Sequence, residues 1–591
     1  MTNQKIADIF DQVADLLEFK GSNPFRIRAY RKGARVIRDH SESVIEIINN
    51  DPSNLTEIDG VGKDLAAKCV ELVQTGKLPM LDELLEEIPK SVMDLLRVPG
   101  LGPKKAKAVH DQLGITTLDE LKKACEEGQV RTLKGFGEKT EQVILGGISI
   151  ASAANQRILW AKADAIVQEL RSHFQKCDSI EKIEFAGSYR RGRETVGDLD
   201  ILAVAKESGP VMDCFSEYPD LASVLVRGDT KMSIRLESGL QVDLRVVPKE
   251  SFGAALQYFT GSKDHNVVVR GLAKKQGLRV NEYGVYRDSD DAQEVIAGAT
   301  EEDVYKSLGL PLFAPETREA RDEFRWAEGN AMPELIEVSD IVGDLHMHTT
   351  ATDGKNSIEE MVAAARVRGL EYIAITDHSK RVSMANGLDG DRLLEQWQAI
   401  DEINETLGSS FTILKGIECD ILEAGGMDLD DAILSQADWV LASVHYGQNQ
   451  SRQQITDRIL GALKNPFVSA IAHPTGRLIN KRKAYEVDLD AVYQAAKENG
   501  KFLELNANPK RLDLNDLNCA AAKRHGIPIV INTDAHSSEG LDVLRYGILQ
   551  ARRAGLTKAD VANTRLWSEL KKGIGNKKEF DAMAGSVVNS R

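Results

Sequence analysis

The chain of 591 residues has no run of about eighteen apolar residues, the least that spans a bilayer as a helix. It also has no basic-then-apolar stretch near its start. We therefore expect a soluble, non-secreted protein with no membrane partner. Cysteine is scarce. The six (Cys69, Cys125, Cys177, Cys214, Cys419 and Cys519) are scattered, with no Cys-x-x-Cys pair. This spacing excludes a zinc ribbon and fits free thiols in a reducing compartment. Basic residues are in the minority, giving a net charge of −16. Spread evenly, that charge would speak against nucleic acid. A chain this long holds about three to five domains, however, so the local distribution decides.

Locally the balance reverses. No acidic residue lies between Lys20 and Arg38, where Arg26, Arg28, Arg31, Lys32 and Arg35 interleave with Phe25 and Tyr30. Unbalanced charge of this density points to phosphate contact. The preceding residues 4–18 have helical periodicity, with Ile6, Ile9, Phe10, Val13, Leu16 and Leu17 on one stripe. A repeat follows: Ile58-Asp59-Gly60-Val61-Gly62-Lys63, then Val98-Pro99-Gly100-Leu101-Gly102-Pro103-Lys104, then Leu133-Lys134-Gly135-Phe136-Gly137-Glu138-Lys139. Each copy precedes a helical run. The glycines permit a tight turn and close backbone approach, and the next helix offers its N-terminal N–H groups to a phosphate. The repeat resembles the helix-hairpin-helix motif, which binds DNA without reading bases. The resemblance also implies a monovalent cation held by turn carbonyls.

The centre of the chain is Gly187-Ser-Tyr-Arg-Arg-Gly-Arg-Glu-Thr-Val-Gly-Asp-Leu-Asp200. A β-like run, Ile180–Ala186, stops at Gly187-Ser188, and a second strand begins at Asp198. Strand side chains alternate, so Asp198 and Asp200 share a face. Paired carboxylates repel unless a cation lies between them, as a Mg²⁺ site for phosphoryl transfer requires. The turn at Gly187-Ser188, followed by Arg190 and Arg191, is suited to a triphosphate. Farther on, Asp243 sits among apolar neighbours in Gly239–Val247, where a carboxylate is costly unless paired or metal-bound. It is the natural third member of the set.

These stretches, with Tyr258-Phe259-Thr260-Gly261-Ser262 followed by Asn266 and Arg270, resemble the family X DNA polymerases of the DNA polymerase β type, over residues 1 to about 315. The resemblance implies that Asp198, Asp200 and Asp243 hold two Mg²⁺ or Mn²⁺ ions, with Asp243 helping to activate the primer 3′-hydroxyl. It implies that Arg157, Ser188, Arg191 and Gly197 contact the deoxynucleoside triphosphate. Tyr258, Phe259 and Gly261 would lie beside the sugar, and Asn266 and Arg270 would touch the base pair or template. DNA contacts would come from Arg26, Arg28, Tyr30, Gly60, Gly62, Lys68, Gly100, Gly102 and Lys104. Lys68 also falls where animal repair enzymes place a Schiff-base lysine. Asp64, one turn earlier, replaces a lysine common in lyase-active relatives. The triplet Lys263-Asp264-His265 departs from the animal enzymes.

Residues 314–335, with Pro315, Pro333 and many charges, read as a linker. Beyond them the histidines gather: seven of the eleven follow residue 340, and six of those end successive β-like runs. Ligand-type residues at the C-terminal ends of alternating β/α strands mark a barrel active site. Together with Asp353, Glu418 and Asp534 they supply the donors for a cluster of about two to three Mn²⁺, Zn²⁺ or Fe²⁺ ions. The stretch resembles the PHP (polymerase and histidinol phosphatase) family, a distorted β/α barrel with a metal-dependent phosphoesterase site. The family's ligand positions fall on His346, His348, Asp353, His378, Glu418, His445, His473, Asp534 and His536. Lys380, Arg381 and Arg477 are candidate phosphate contacts.

The expected protein is a multidomain α+β and α/β chain. Its parts are a helical DNA-binding domain (1–90), a fingers-type helix-hairpin-helix domain (91–150), a nucleotidyltransferase palm (151–255), a thumb (256–315), a linker (316–338) and a PHP barrel (339–575). It would be a monomer of the bacterial cytoplasm, associated with the nucleoid, filling gapped or nicked double-stranded DNA in base excision repair. The barrel would add 3′→5′ exonuclease, with abasic-site incision or other 3′-end processing open beside it. Two rival readings are a metal-dependent phosphatase with a degenerate polymerase half and a non-catalytic DNA-end scaffold.

Overall fold

The computed structural model describes residues 3–39, 44–58, 60–88, 92–96, 98, 101–154, 157–287 and 295–583. They form two compact units, divided near Ala327 and Glu328. Among the described residues, no helix is long and apolar enough to cross a membrane.

The first unit opens with helix Asn3–Lys20, whose stripe of Ile6, Phe10, Val13, Leu16 and Leu17 is buried as its periodicity predicts. Helix Pro24–Asp39 packs along it. The described residues of the three glycine repeats share one backbone hydrogen bond. The N–H of Val61 donates to the Ile58 carbonyl, that of Leu101 to Val98 and that of Phe136 to Leu133, at 2.9, 3.0 and 3.0 Å. Each turn feeds a helix: Lys63–Thr75, Pro103–Leu113 and Glu138–Ala154. The first turn needs Gly60 at φ +101, since a Cβ there would also press on the Lys32 and Val36 side chains. One hydrophobic core runs from Ile6 to Ile148. The boundary expected at residue 90 is therefore not a break in packing.

A five-stranded sheet follows, in the order Ile180–Phe185, Asp198–Ala205, Gln241–Val246, Lys231–Leu236, Leu221–Arg227. Asp198–Ala205 and Gln241–Val246 run parallel, and the remaining pairs are antiparallel. Helices Phe252–Thr260 and Lys263–Lys275 and the small sheet Leu278–Asn281, Gly284–Arg287, Val295–Ala297 complete this unit.

The division between the units falls within the segment expected as a linker, 316–338, but the segment is packed rather than solvated. Arg318 and Glu323 are fully buried in the first unit, and Ile336 is fully buried in the second. The charges that suggested solvent exposure are satisfied internally: Arg318 pairs with Glu301 at 2.5 Å and donates to the Phe313 carbonyl.

The second unit is built on seven parallel strands in chain order: Gly343–Asp344, Tyr372–Ile375, Thr412–Asp420, Trp439–Ser443, Ala470–Ile471, Phe502–Asn506 and Ile529–Asn532. Met347 bridges to Ala535 in parallel, which brings the first strand back to the last and nearly closes the barrel. Helices between the strands cover its outside, and the apolar core lies between helices and strands. Ligand-type side chains cluster at the C-terminal strand ends, the end on which barrel active sites are built.

Candidate active sites

In the first unit, Asp200 and Asp243 are register partners on neighbouring parallel strands, and Asp198 is two residues before Asp200 on the same face. All three predicted carboxylates therefore meet. Gly187 begins a short helix, Gly187–Arg190, at φ +64. A Cβ there would lie 2.5 Å from Asp200 Oδ2, so the loop backbone approaches the carboxylates only because this residue has no side chain. Burial, then the charges of Asp198 and Asp243, push the Asp200 carboxyl up to about 7. Shielding by protein and the Asp243 charge raise Asp198 as well. Two raised carboxyls beside a third carboxylate fit a divalent cation, whose charge would relieve the repulsion.

Of the predicted nucleotide contacts, Arg157 and Arg191 act on the Asp198 charge. Ser188 Oγ is buried and, among the described residues, makes no hydrogen bond. Arg157 donates to Thr195 Oγ1 at 3.0 Å and to the Thr195 carbonyl at 2.6 Å. A side chain at Gly197 would collide with Arg157 Nη1. Arg191 donates to the Thr260 carbonyl and to Glu319 Oε1. Arg190, read as a triphosphate partner, is instead bound by both oxygens of Glu301 at 2.7 and 2.8 Å. Tyr258 and Phe259 meet edge to face, and Gly261 ends their helix at φ +67. Asn266 donates to the Tyr258 carbonyl and accepts from Gln257, which holds it under this loop. Arg270 Nε is buried without a hydrogen-bond partner among the described residues.

The DNA-binding set divides. Arg26 and Arg28 are exposed, and Arg28 stacks over the exposed ring of Phe25 at 4.6 Å. Tyr30 is corrected to a core residue. It is 1 % exposed, packs edge-on against Phe10 and directs its hydroxyl at Met80 Sδ. Arg31 is engaged by Asp15 and Glu18, both at 2.8 Å. These partners stand on the preceding helix, outside the acid-free window. Lys68 pairs with Asp64. Gly62 and Gly102 each cap a helix N-terminus, and Lys104 follows on the second of these helices. Gly100 lies outside the described residues.

In the second unit all nine predicted ligands converge. His348, Asp353, His378 and His536 form one group, His346, His348 and Asp534 a second, and His378, Glu418 and His445 a third. His473 Nε2 lies 2.9 Å from Glu418 Oε1, which ties in the ninth. His348 and His378 each serve two groups, as a multinuclear cluster requires. His346 Nε2 and both ring nitrogens of His348 are buried and make no hydrogen bond, among the described residues, although carboxylate oxygens lie 3.2 to 3.9 Å away. Orphaned imidazole nitrogens facing carboxylates are the donor set of a metal cluster. Burial works against a proton on His378, but Glu418 and Asp353 outweigh it and raise the ring to about 10. Burial and the neighbouring His378 take His348 down to about 4. Two ligands carry left-handed backbone, His473 at φ +28 and Asp534 at φ +54. Such strain persists where surrounding bonds over-determine it, and costs about 1–3 kcal/mol per residue.

Sequence reasoning missed what orients this cluster. Glu504, fully buried on strand Phe502–Asn506, accepts from His346 Nδ1 and from the His473 backbone N–H, both at 2.7 Å, and from Asn532 at 3.0 Å. Asp420 accepts the His445 backbone N–H at 2.9 Å. The signal is present in the sequence: Glu504 lies between Leu503 and Leu505 in an apolar strand, the pattern that exposes Asp243. Of the candidate phosphate contacts, Arg381 is paired with Glu423 and stacks on Tyr446, while Arg477 donates to the Leu512 carbonyl at 2.5 Å. Lys380 is exposed. Arg511, not singled out from the sequence, brings its Nε to 3.5 Å from Asp534 Oδ2.

A carboxylate-bearing nucleotidyltransferase sheet behind helix-hairpin-helix turns, joined to a barrel with a histidine-rich cluster, defines a DNA polymerase fused to a metal-dependent phosphoesterase. Residues 1–78 match a helix-hairpin-helix domain and 92–146 a helix-hairpin-helix tandem. Residues 157–229 match the DNA polymerase beta palm, 255–319 its thumb, and 344–508 the PHP domain. DNA polymerase/3′-5′ exonuclease PolX of Bacillus subtilis is 40 % identical over 567 residues, covering 96 % of this chain and 98 % of that protein. The chain belongs to this family, the family X DNA polymerases with a C-terminal PHP domain. A probable phosphatase of Acetivibrio thermocellus is 34 % identical over 206 residues, 33 % of this chain and 80 % of that protein. DNA polymerase lambda of Rattus norvegicus is 28 % identical over 289 residues, 44 % and 48 % of the two chains.

Proposed function

We propose that the chain fills short gaps in damaged DNA from deoxynucleoside triphosphates and trims 3′ ends with its barrel, acting as a monomer in the bacterial cytoplasm beside the nucleoid. The observation that carries the polymerase reading is the register of Asp200 against Asp243, with Asp198 on the same face and the Gly187 backbone pressed against Asp200. Asp198, Asp200 and Asp243 would hold the divalent cations, Mg²⁺ or Mn²⁺. Ions held there would acidify the primer hydroxyl and neutralise the departing pyrophosphate. Asp243, whose carboxylate is oriented by Gln241 at 3.1 Å, is the protein's acceptor for the hydroxyl proton. Ser188 and the Gly187–Arg190 backbone receive the triphosphate, and Tyr258 to Gly261 crowd the sugar where a 2′-hydroxyl would project. Arg26, Arg28 and the three glycine turns hold phosphates on gapped or nicked duplex, with monovalent cations at turn carbonyls.

In the barrel, the nine N/O donors suit Mn²⁺, Zn²⁺ or Fe²⁺. These residues would hold metal that, once bound, would supply a hydroxide nucleophile near neutral pH. Glu504 fixes the His346 ring and Arg511 stands where a phosphate would meet the cluster. The likeness of the barrel to a probable phosphatase favours removal of 3′-phosphates beside nucleotide excision, with abasic-site incision as a further substrate of the same site. One gapped duplex, offered with and without nucleotides and with either cation, tests both halves: extension in the first case, primer shortening in the second.

A further inference from the structure

The geometry points to His265 and the turn from Arg318 to Glu323 as a positioning device for the incoming nucleotide, an inference that rests on the polymerase reading above. His265 belongs to the triplet in which this chain departs from the animal enzymes, one residue before Asn266. It is fully buried at the start of helix Lys263–Lys275. Its Nδ1 lies 2.9 Å from Glu323 Oε1 and its Nε2 2.9 Å from the Tyr305 hydroxyl. Phe324 stacks on the ring at 4.9 Å and Phe313 meets it edge-on at 5.4 Å. A carboxylate only accepts, so Nδ1 carries the hydrogen and Nε2 receives the tyrosine O–H. Both ring nitrogens are thereby satisfied inside an aromatic box, which fixes the ring in one orientation.

Glu323 does more than face His265. Its oxygens also accept the N–H groups of Ala320 at 2.7 Å and Arg321 at 2.8 Å, closing a turn in which Ala320 takes φ +53. That turn reaches the nucleotide side twice. The Arg318 carbonyl accepts from the Ser262 N–H at 3.0 Å, and Glu319 Oε1 accepts from Arg191 Nε at 3.1 Å. Arg191 is bound at its other end by the Thr260 carbonyl. A segment that reads as linker is therefore the outer wall of the Thr260–Ser262 loop and aims Arg191, with His265 as its anchor. A phenylalanine would fill the same box but could not set the turn, because the information lies in the two hydrogen bonds.

The test uses the full chain on a one-nucleotide gap with Mg²⁺. Glu323→Ala and His265→Phe should raise KM for the nucleotide about tenfold, the scale of removing a charge-assisted hydrogen bond. The same variants should change kcat by less than about twofold. Glu323→Gln keeps one oxygen for His265 and the Ala320 N–H but loses the Arg321 bond, and should bring KM below that of Glu323→Ala. Affinity for gapped DNA and primer shortening without nucleotides should match wild type throughout. KM within about twofold of wild type in both variants, or an equal fall in kcat with KM unmoved, overturns the inference. Should Glu323→Ala lose shortening too, Glu319→Gln decides by the same readout, a raised KM supporting and an unchanged KM overturning it. Wild-type protein that extends nothing refutes the polymerase reading instead.

Discussion

Glu504 Oε1 receives the His346 Nδ1 hydrogen at 2.7 Å, while its second oxygen receives the backbone N–H of His473 at the same distance. One buried carboxylate thus turns one ligand so that Nε2 faces Glu418 and Asp534, and pins the strained backbone of another. It holds the cluster in place before any metal enters.

Replacing Glu504 with Gln should therefore weaken metal binding or shortening by about 10- to 100-fold, the range for partners that orient a ligand. Primer extension should be unchanged, since the polymerase carboxylates share no residue with the barrel cluster. Metal content after dialysis and the rate of shortening at saturating Mn²⁺ check this. Wild-type values for both would deny Glu504 any orienting role.

Asp243→Ala should abolish extension while leaving affinity for gapped DNA nearly intact, because it removes a metal ligand and no DNA contact. Residual extension above about a tenth of wild type, equivalent to less than ~1.4 kcal/mol of barrier, would contradict the assignment.

The divalent-cation requirement of extension should depend on pH. Asp200, held up to about 7 by burial and two neighbouring carboxylates, must lose its proton to bind a cation. Above that pH it is already ionised and the requirement should level off. Below it, proton and cation compete, and the concentration for half-maximal extension should rise by up to about tenfold per pH unit. The raised carboxyl also opposes stability of the metal-free protein: its penalty is absent below the unfolded value near about 4 and grows as pH rises toward 7. An Mg²⁺ titration at about pH 6, 7 and 8 that gives one midpoint would contradict this reading.

Salt should weaken DNA binding despite the acidic chain. Removing one phosphate-binding cation flattens the logarithmic slope by about 0.9. Arg26→Ala with Arg28→Ala should therefore reduce it by about 1.8. Arg31→Ala should change it little, because Asp15 and Glu18 already neutralise that guanidinium. The slope of log Kd against log salt, measured for each variant, distinguishes the two outcomes.

The two candidate metal sites are legible in the sequence because such chemistry demands improbable patterns: acids in apolar strands, and histidines at successive strand ends. The same rule reaches Glu504 once strand Phe502–Asn506 is read for an inward acid rather than for a terminal histidine. Tyr30 escapes such reading because an aromatic among arginines looks the same whether it faces DNA or Phe10. Only the packing of the helix Asn3–Lys20 decides, and that is a long-range fact. The segment after residue 315 resembles a linker for a related reason. The charges of Arg318 and Glu323 signal solvent unless their partners Glu301 and His265, distant in sequence, are known to meet them.

The two candidate metal sites, which share no residue, should act in opposite directions on a primer 3′ end. The direct measurement follows a labelled primer on a gapped duplex, with nucleotides and without, for wild type, Asp198→Ala and His346→Ala side by side. Asp198→Ala should shorten but not extend, and His346→Ala should extend but not shorten. If His346→Ala still shortens the primer while Asp198→Ala does not, the nuclease belongs to the polymerase carboxylates and the division fails.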